Sequence, residues 1–268
     1  MRFFYTLLLG FVFLSCSKNN SDIKETTVSN KLLRVLAYNI HHGTPINSAS
    51  GAVELNNIAG VIKMQKPDLV ALQEVDNKTR RAGGLNQAEE LAKMLDMHYY
   101  FSKSINYDGG EYGVAILSKY PISKSERILL SNNEPGGEQR TIAMVTVELP
   151  DGKSIRFASI HLDLRLQNRT AQMQEIVMLS KQSALPLIAA GDFNAEAGSS
   201  EFGSLKTEFS LGCLTGCPLT FPADKPQKKI DFIVMNPAAA AKFSKRSYDS
   251  IKGQLSSDHL PLLGIYSY

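Results

Sequence analysis

The sequence predicts an α/β protein in which two packed sheets carry helices on their outer sides. Three observations predict it. The first part of the chain alternates strand-like and helix-like runs, the middle part runs strand after strand, and many strands stop at a polar residue. Alternation followed by consecutive strands suits two packed sheets covered by helices.

The elements follow in order. "LLRVLAYNI" (32–40) is an apolar, β-rich run. "VELNNIAGVIKMQ" (53–65) has apolar residues at helical spacing and stops before Pro67, which cannot continue a helix. "DLVALQEV" (68–75) reads as a buried strand and "NQAEELAKMLDM" (86–97) as an amphipathic helix. "YGVAILS" (112–118), "TIAMVTVEL" (141–149) and "IRFASIHL" (155–162) are strands in succession. "NRTAQMQEIVMLSKQ" (168–182) is a helix. "LPLIAAGDF" (185–193), "KIDFIVM" (229–235) and "LPLLGIY" (260–266) complete the series as strands.

The N-terminus stands apart. "MRFFYTLLLGFVFLSC" has an apolar run from Phe3 to Leu14, short for a permanent span and right for a signal peptide. Leu14-Ser15-Cys16 resembles a bacterial lipobox, with Phe13 where Leu is commoner. We therefore expect a signal peptide over 1–16, lipidation at Cys16 (plain cleavage and secretion, or a retained anchor, being the alternatives), a flexible polar tether over 17–30 and one large domain over 31–268. The implied location is a bacterial membrane lipoprotein on the exported side. Cys213 and Cys217 are four apart. Export allows them a short-loop disulfide, two free thiols being the alternative. No neighbouring His or second Cys pair suggests zinc there.

The net charge is +3 and no dense basic run is present. A protein gripping long nucleic acid usually shows a basic stripe, so such a partner is possible but not favoured. Absence of Trp gives no support to an intercalating wedge. A monomer is expected.

The polar strand ends are the chemically informative feature. Asn39, Glu74, His161, Asp192 and Asp231 each end or interrupt an apolar run. Taken singly, each has an ordinary alternative: a solvated strand-end acid, a turn, a structural histidine. Asp192 and Asn194, two apart, would point the same way on an extended strand, or form a β-turn. An acid inside "KKIDFIVM" needs a partner, and His259 of "LSSDHLP" is the natural one. Glu74 and Asp258 are carboxylates suited to Mg²⁺, which takes one or two acids plus water and phosphate oxygens. Asp231 can orient His259, while His161, Asn39 and Asn194 are donors for charge developing on phosphorus. Together they form a kit for metal-assisted hydrolysis of a phosphate ester.

"YNIHHG", "LQEVD", "YGVAILSKYPI", "IHLD", "GDFNAE", "KKIDFIV" and "SSDHLP" occur in an order that resembles the endonuclease/exonuclease/phosphatase superfamily over about residues 32–266. The resemblance implies a four-layer α-β-β-α sandwich of two mixed sheets. It implies Glu74, Asp258 and Asn39 around Mg²⁺, with Mn²⁺ as a possible substitute, and His161, Asp192, Asn194, Asp231 and His259 as the catalytic set. Tyr112 and Asn39 would contact the phosphate. Either Asp192 or His259 would take the water's proton. Repair-type members often carry an acid two residues after the first Asn. Here that residue is His41, which, like His42, either touches substrate or ends the strand. Style of sequence favours a lipid head-group or sugar-phosphate ester. An extracellular nuclease and a non-catalytic surface-binding lipoprotein are the alternatives.

Overall fold

The computed structural model describes residues 31–268, with Met1 and Phe3. The expected signal segment (those two residues apart), Cys16 and the tether lie outside the described residues. Among the described residues no helix is long and apolar enough to cross a membrane.

The first sheet contains β1 (Leu32–Asn39), β2 (Leu69–Asn77), β3 (His98–Tyr107), β4 (Gly110–Ser118), β11 (Ser244–Ser250) and β12 (Leu262–Ser267), in the order β11-β12-β1-β2-β4-β3. The second contains β5 (Ile122–Leu129), β6 (Thr141–Glu148), β7 (Ser154–His161), β8 (Leu187–Asp192), β9 (Ser210–Leu211) and β10 (Asp231–Met235), in the order β5-β6-β7-β8-β10-β9. Both are mixed: β1–β2 and β7–β8 run parallel and the remaining pairs antiparallel.

Alternation along the strands sorts the apolar side chains into three layers. Leu33, Val35 and Ala37 of β1 meet Phe157, Ile188 and Ala190 of the second sheet in the central layer. The intervening Leu36 and Tyr38 face α1 (Leu55–Gln65) and α2 (Gln87–Leu95). On the far side Ala158, Ile160 and Ala189 pack under α3 (Leu166–Lys181) and α4 (Phe202–Glu208). A sheet buried on both faces needs near-continuous apolar runs, as the central strands have. The result is the four-layer α-β-β-α sandwich expected. A fifth, short helix, α5 (Pro237–Lys242), links β10 to β11. The expected helix before Pro67 ends at Lys66, whose left-handed φ of 48° turns the chain out.

Four strands escaped the sequence reading: β3, β5, β9 and β11. They are the four sheet edges. Edge strands carry polar and charged side chains that disguise their period and discourage further pairing. The Ser-Lys-Ser-Glu-Arg run in β5 and Ser-Lys-Arg-Ser in β11 do this. Cys213 and Cys217 are joined as a disulfide.

Gly191 sits where β7 and β8 pass closely. A Cβ there would collide with the carbonyl oxygen of Ile160 and approach Gln73 Nε2 at 2.9 Å. Gly191→Ala should therefore cost about 1–3 kcal/mol, the usual penalty for overpacking. A urea midpoint equal to wild type would show that the two strands can part at no cost.

Candidate active site

The site forms where the central layer changes from apolar to polar. His161, Asp192 and Asp231 lie in one lateral row: His161 pairs with Asp192 across β7–β8, and Asp192 with Asp231 across β8–β10. Residues in one row share a face, here the inner face toward the first sheet. Gln73 of β2 donates from Nε2 to Ser159 Oγ at 3.0 Å, and Ser159 Oγ donates to the Leu72 carbonyl at 2.9 Å, clamping the two sheets one step below the row.

Asp192 is the meeting point. Its Oδ2 accepts from Asn39 Nδ2 at 3.2 Å and lies 3.6 Å from Nε2 of both His161 and His259. Its Oδ1 accepts the Asn194 backbone N–H at 2.8 Å. Asn39 also donates to Glu74 Oε1 at 3.0 Å, while its own Oδ1 accepts from the His41 N–H at 3.1 Å. Asn39 thus joins the two acids through its amide N–H₂. As oriented, its oxygen accepts from the backbone.

Local backbone aims the remaining groups. Simple alternation would send Glu74 to the helix-covered outer face beside Leu72. A bulge between Leu72 and Val75, with Glu74 at φ 56°, turns it into the mouth instead; bulges commonly re-aim a side chain in this way. Asn194 takes φ 50°, so the extended Asp192–Asn194 spacing considered from sequence is replaced by a left-handed turn, and its Nδ2 donates to the Leu162 carbonyl at 2.9 Å. His259 is carried by a pinned loop. Ser257 Oγ donates to the Asn39 carbonyl at 2.7 Å and accepts the His259 N–H at 3.2 Å. Phe221 packs on the imidazole at 4.8 Å between centroids.

The two histidines have opposite electrostatics. His161 Nδ1 accepts from Arg140 Nη1 at 3.0 Å, which places its proton on Nε2, facing Asp192. Burial, then the charges of Arg140 and His259, hold its pKa well below 6.5. It is a neutral N–H donor. His259 donates from Nδ1 to Asp231 Oδ2 at 2.9 Å. Burial pulls its pKa down, but Asp231 and then Asp192 outweigh that and push it up to about 10. It is an imidazolium at neutral pH. Asp192 is raised to about 7 by burial, with Asp231 adding to the rise and His259 opposing it.

Glu74, Tyr112, His161, Asp192, Asn194, Asp258 and His259 all face one cavity of about 870 Å³. Asn39 and Asp231 stand directly behind it through the bonds given above. His41 faces a smaller adjoining cavity of about 270 Å³, with Glu74 and Tyr112 shared between the two. Another cavity, of about 760 Å³ beside the disulfide loop, contains none of these residues. Tyr112 stays protonated, since burial and then the Glu74 charge raise its phenol.

From sequence alone Arg81, Arg140, Arg165 and Arg169 read either as grips for a second phosphate or as plain exposed surface. Arg140 and Arg169 are buried, Arg140 against Glu138 at 2.9 Å and Arg169 against Glu201 at 2.9 Å. Arg81 forks onto Asp76 at 2.6 and 2.9 Å. Glu138, Phe221 and Lys228, which also line the cavity, were missed. Lys228 opens the quoted "KKIDFIV" stretch but was not singled out in it, while Glu138 and Phe221 sit in segments without period.

Comparison with known families matches residues 36–259 to the Endonuclease/Exonuclease/phosphatase family. The chain belongs to this family. It is accordingly a metal-dependent phosphoric ester hydrolase. It is 28% identical to the uncharacterized protein YbhP of Escherichia coli over 248 residues, covering 85% of this chain and 94% of that one. Among solved structures, a family protein of Bacteroides thetaiotaomicron superposes with TM-score 0.73 at 18% identity, covering 89% of this chain and 98% of that one. A mannosyl-6-phosphatase of the same organism superposes with TM-score 0.70 at 18% identity, covering 88% and 100%.

The donor set fits a hard cation. Glu74 and Asp258 both line the same open cavity, and carboxylates are the ligand type a hard dication takes. One close cluster of ligand-type groups, Asp192, Asp231 and His259, is buried, and within it Asp231 and His259 are bonded as an acid–base pair.

Folding raises the pKa of His259 above its ordinary 6.5. The charged pair with Asp231 therefore contributes stability that is full below that value and is lost as pH rises toward about 10. In chelator, the gap in Tm between wild type and Asp231→Asn should narrow over that window. A gap independent of pH would mean that Asp231 does not hold the imidazole charged.

Proposed function

We propose that this protein is an exported, Mg²⁺-dependent phosphoesterase that cleaves a sugar-phosphate or lipid head-group ester by in-line attack of water. The observation that carries the reading is Asp192, 3.6 Å from the Nε2 atoms of both His161 and His259, at the floor of a cavity that Glu74 and Asp258 also face.

In this reading Glu74 and Asp258 hold Mg²⁺, or Mn²⁺ in its place, which supplies charge neutralisation on the phosphate oxygens. Asp192, raised to about 7, takes the proton of the attacking water. His259, already charged, is the poorer base of the two and serves as a fixed positive partner. Water oxygen forms the new bond to phosphorus as the ester P–O bond breaks on the opposite side, and the leaving alcohol oxygen takes a proton from solvent. Charge building on the phosphoryl oxygens meets the His161 N–H and the His259 imidazolium. Tyr112 and Asn194, on the same cavity, orient the phosphate.

The cavity lining supports a small substrate. It has six carboxylates, Glu74, Glu138, Asp192, Glu196, Glu201 and Asp258, against Arg140, Arg169, Lys228 and the charged His259. Both arginines are already matched by acids. Such a lining suits one phosphate on an uncharged alcohol better than a polyanionic strand. A sugar phosphate is also the substrate class in the name of the Bacteroides neighbour. Residues 1–16 as a signal peptide, lipidation at Cys16 and membrane attachment of a monomeric domain complete the proposal, on sequence grounds.

The test is a panel of a sugar 6-phosphate, bis-p-nitrophenyl phosphate, sphingomyelin and plasmid DNA, each with Mg²⁺ and with chelator. Chelator should abolish turnover. Asp192→Ala and His259→Ala should each lower kcat by about 10²–10⁴-fold, the range for a positioned proton-transfer group, with circular dichroism unchanged. Substantial turnover in either variant would overturn the roles. Fastest cleavage of plasmid would replace the small-ester reading with a nuclease.

A further inference from the structure

Beside the catalytic cavity, three successive residues adopt left-handed backbone: His41, His42 and Gly43, at φ 45°, 43° and 79°. Two of them carry a Cβ, so the conformation is unfavourable and persists only where the surroundings impose it. Here the bracing is dense. Gly43 N–H donates to the Ile40 carbonyl and Thr44 N–H to the His41 carbonyl, both at 2.8 Å, and buried Gln87 donates from Nε2 to the His42 carbonyl at 2.7 Å.

The turn sets two imidazoles against Glu74, the residue that its own bulge re-aims. Ligand atoms of His41, His42 and Glu74 all lie within 4.8 Å of one another. His41 Nδ1 is tied to the Thr44 carbonyl at 3.0 Å. That bond puts the proton on Nδ1 and leaves Nε2 with a free lone pair, the arrangement by which metal-binding histidines are oriented. His42 Nδ1 is buried with no hydrogen-bond partner. The cavity of about 270 Å³ opens onto all three side chains. The nearby cation, Arg81, is matched by Asp76 and covered by Tyr107 at 4.5 Å. Two imidazoles with one carboxylate are a donor set that favours first-row transition metals, whereas Mg²⁺ favours oxygen alone.

We propose that His41, His42 and Glu74 bind a first-row transition-metal dication, beside the oxygen-donor Mg²⁺ position of Glu74 and Asp258. This rests on the phosphoesterase reading only in that the two positions share Glu74.

The experiment titrates Zn²⁺ by calorimetry into the untagged, chelator-stripped full chain in millimolar Mg²⁺. Wild type should bind one Zn²⁺, and His41→Asn and His42→Asn should each weaken it by about 10- to 100-fold. Asn is chosen because it tolerates left-handed backbone, and circular dichroism verifies the fold. Unchanged Zn²⁺ affinity in both variants, or binding abolished by Mg²⁺, would overturn the site. X-ray absorption on the wild-type complex should show nitrogen ligands, and an all-oxygen shell would overturn it too. Hydrolysis of a sugar 6-phosphate and of bis-p-nitrophenyl phosphate in Mg²⁺ is followed on the same samples, turnover meaning cleavage of either. No turnover with histidine-dependent Zn²⁺ binding intact would remove the phosphoesterase reading and leave the site. Turnover with unchanged Zn²⁺ affinities would do the reverse.

Discussion

A carboxylate that is 1% exposed constrains everything around it. Desolvating Asp192 costs several kcal/mol unless its oxygens are met by donors, and no single strand can supply them. Asn39 reaches it from the first sheet, the Asn194 N–H from its own turn, and the two imidazoles from β7 and from the loop before β12. Those groups coincide only if the sheets dock in one register and the 257–259 loop closes against β1. Ser257 makes that closure by bonding the Asn39 carbonyl, and Gln73–Ser159 fixes the sheets just beneath. The chemistry at this end and the packing of the central layer are therefore one constraint: whatever moves the sheets apart also strips Asp192 of its donors.

Much of the arrangement was legible because buried strands advertise themselves. Central strands covered on both faces read as apolar runs, and a polar residue ending such a run is conspicuous. Asn39, His161, Asp192 and Asp231 were found in that way, and three of them prove to be one row of the second sheet. What stayed hidden depends on backbone that no period reports. Glu74 was found as a residue, but its direction comes from a bulge and a φ of 56°. The turn of Asn194 and the left-handed His41–His42 pair are of the same kind. The edge strands were hidden for another reason: one side of each meets solvent, and polar residues there erase the pattern. Arg140 was misread as surface because an arginine's burial depends on a partner, and Glu138 lies in an irregular loop.

The two histidines show how neighbours divide roles between like residues. Each presents Nε2 to the same carboxylate oxygen at the same 3.6 Å, and each is buried. They differ at Nδ1. An arginine donates to His161 there, which fixes a neutral ring and forbids a second proton. An aspartate accepts from His259 there, which demands the proton and holds the charge. Separating the pKa values of like groups by environment is how acid and base are assigned within one pocket. Here it leaves Asp192 between a neutral donor and a cation, with its own ionisation raised to about 7. Its charge is also one of those that hold the His259 proton, so the two ionisations are linked.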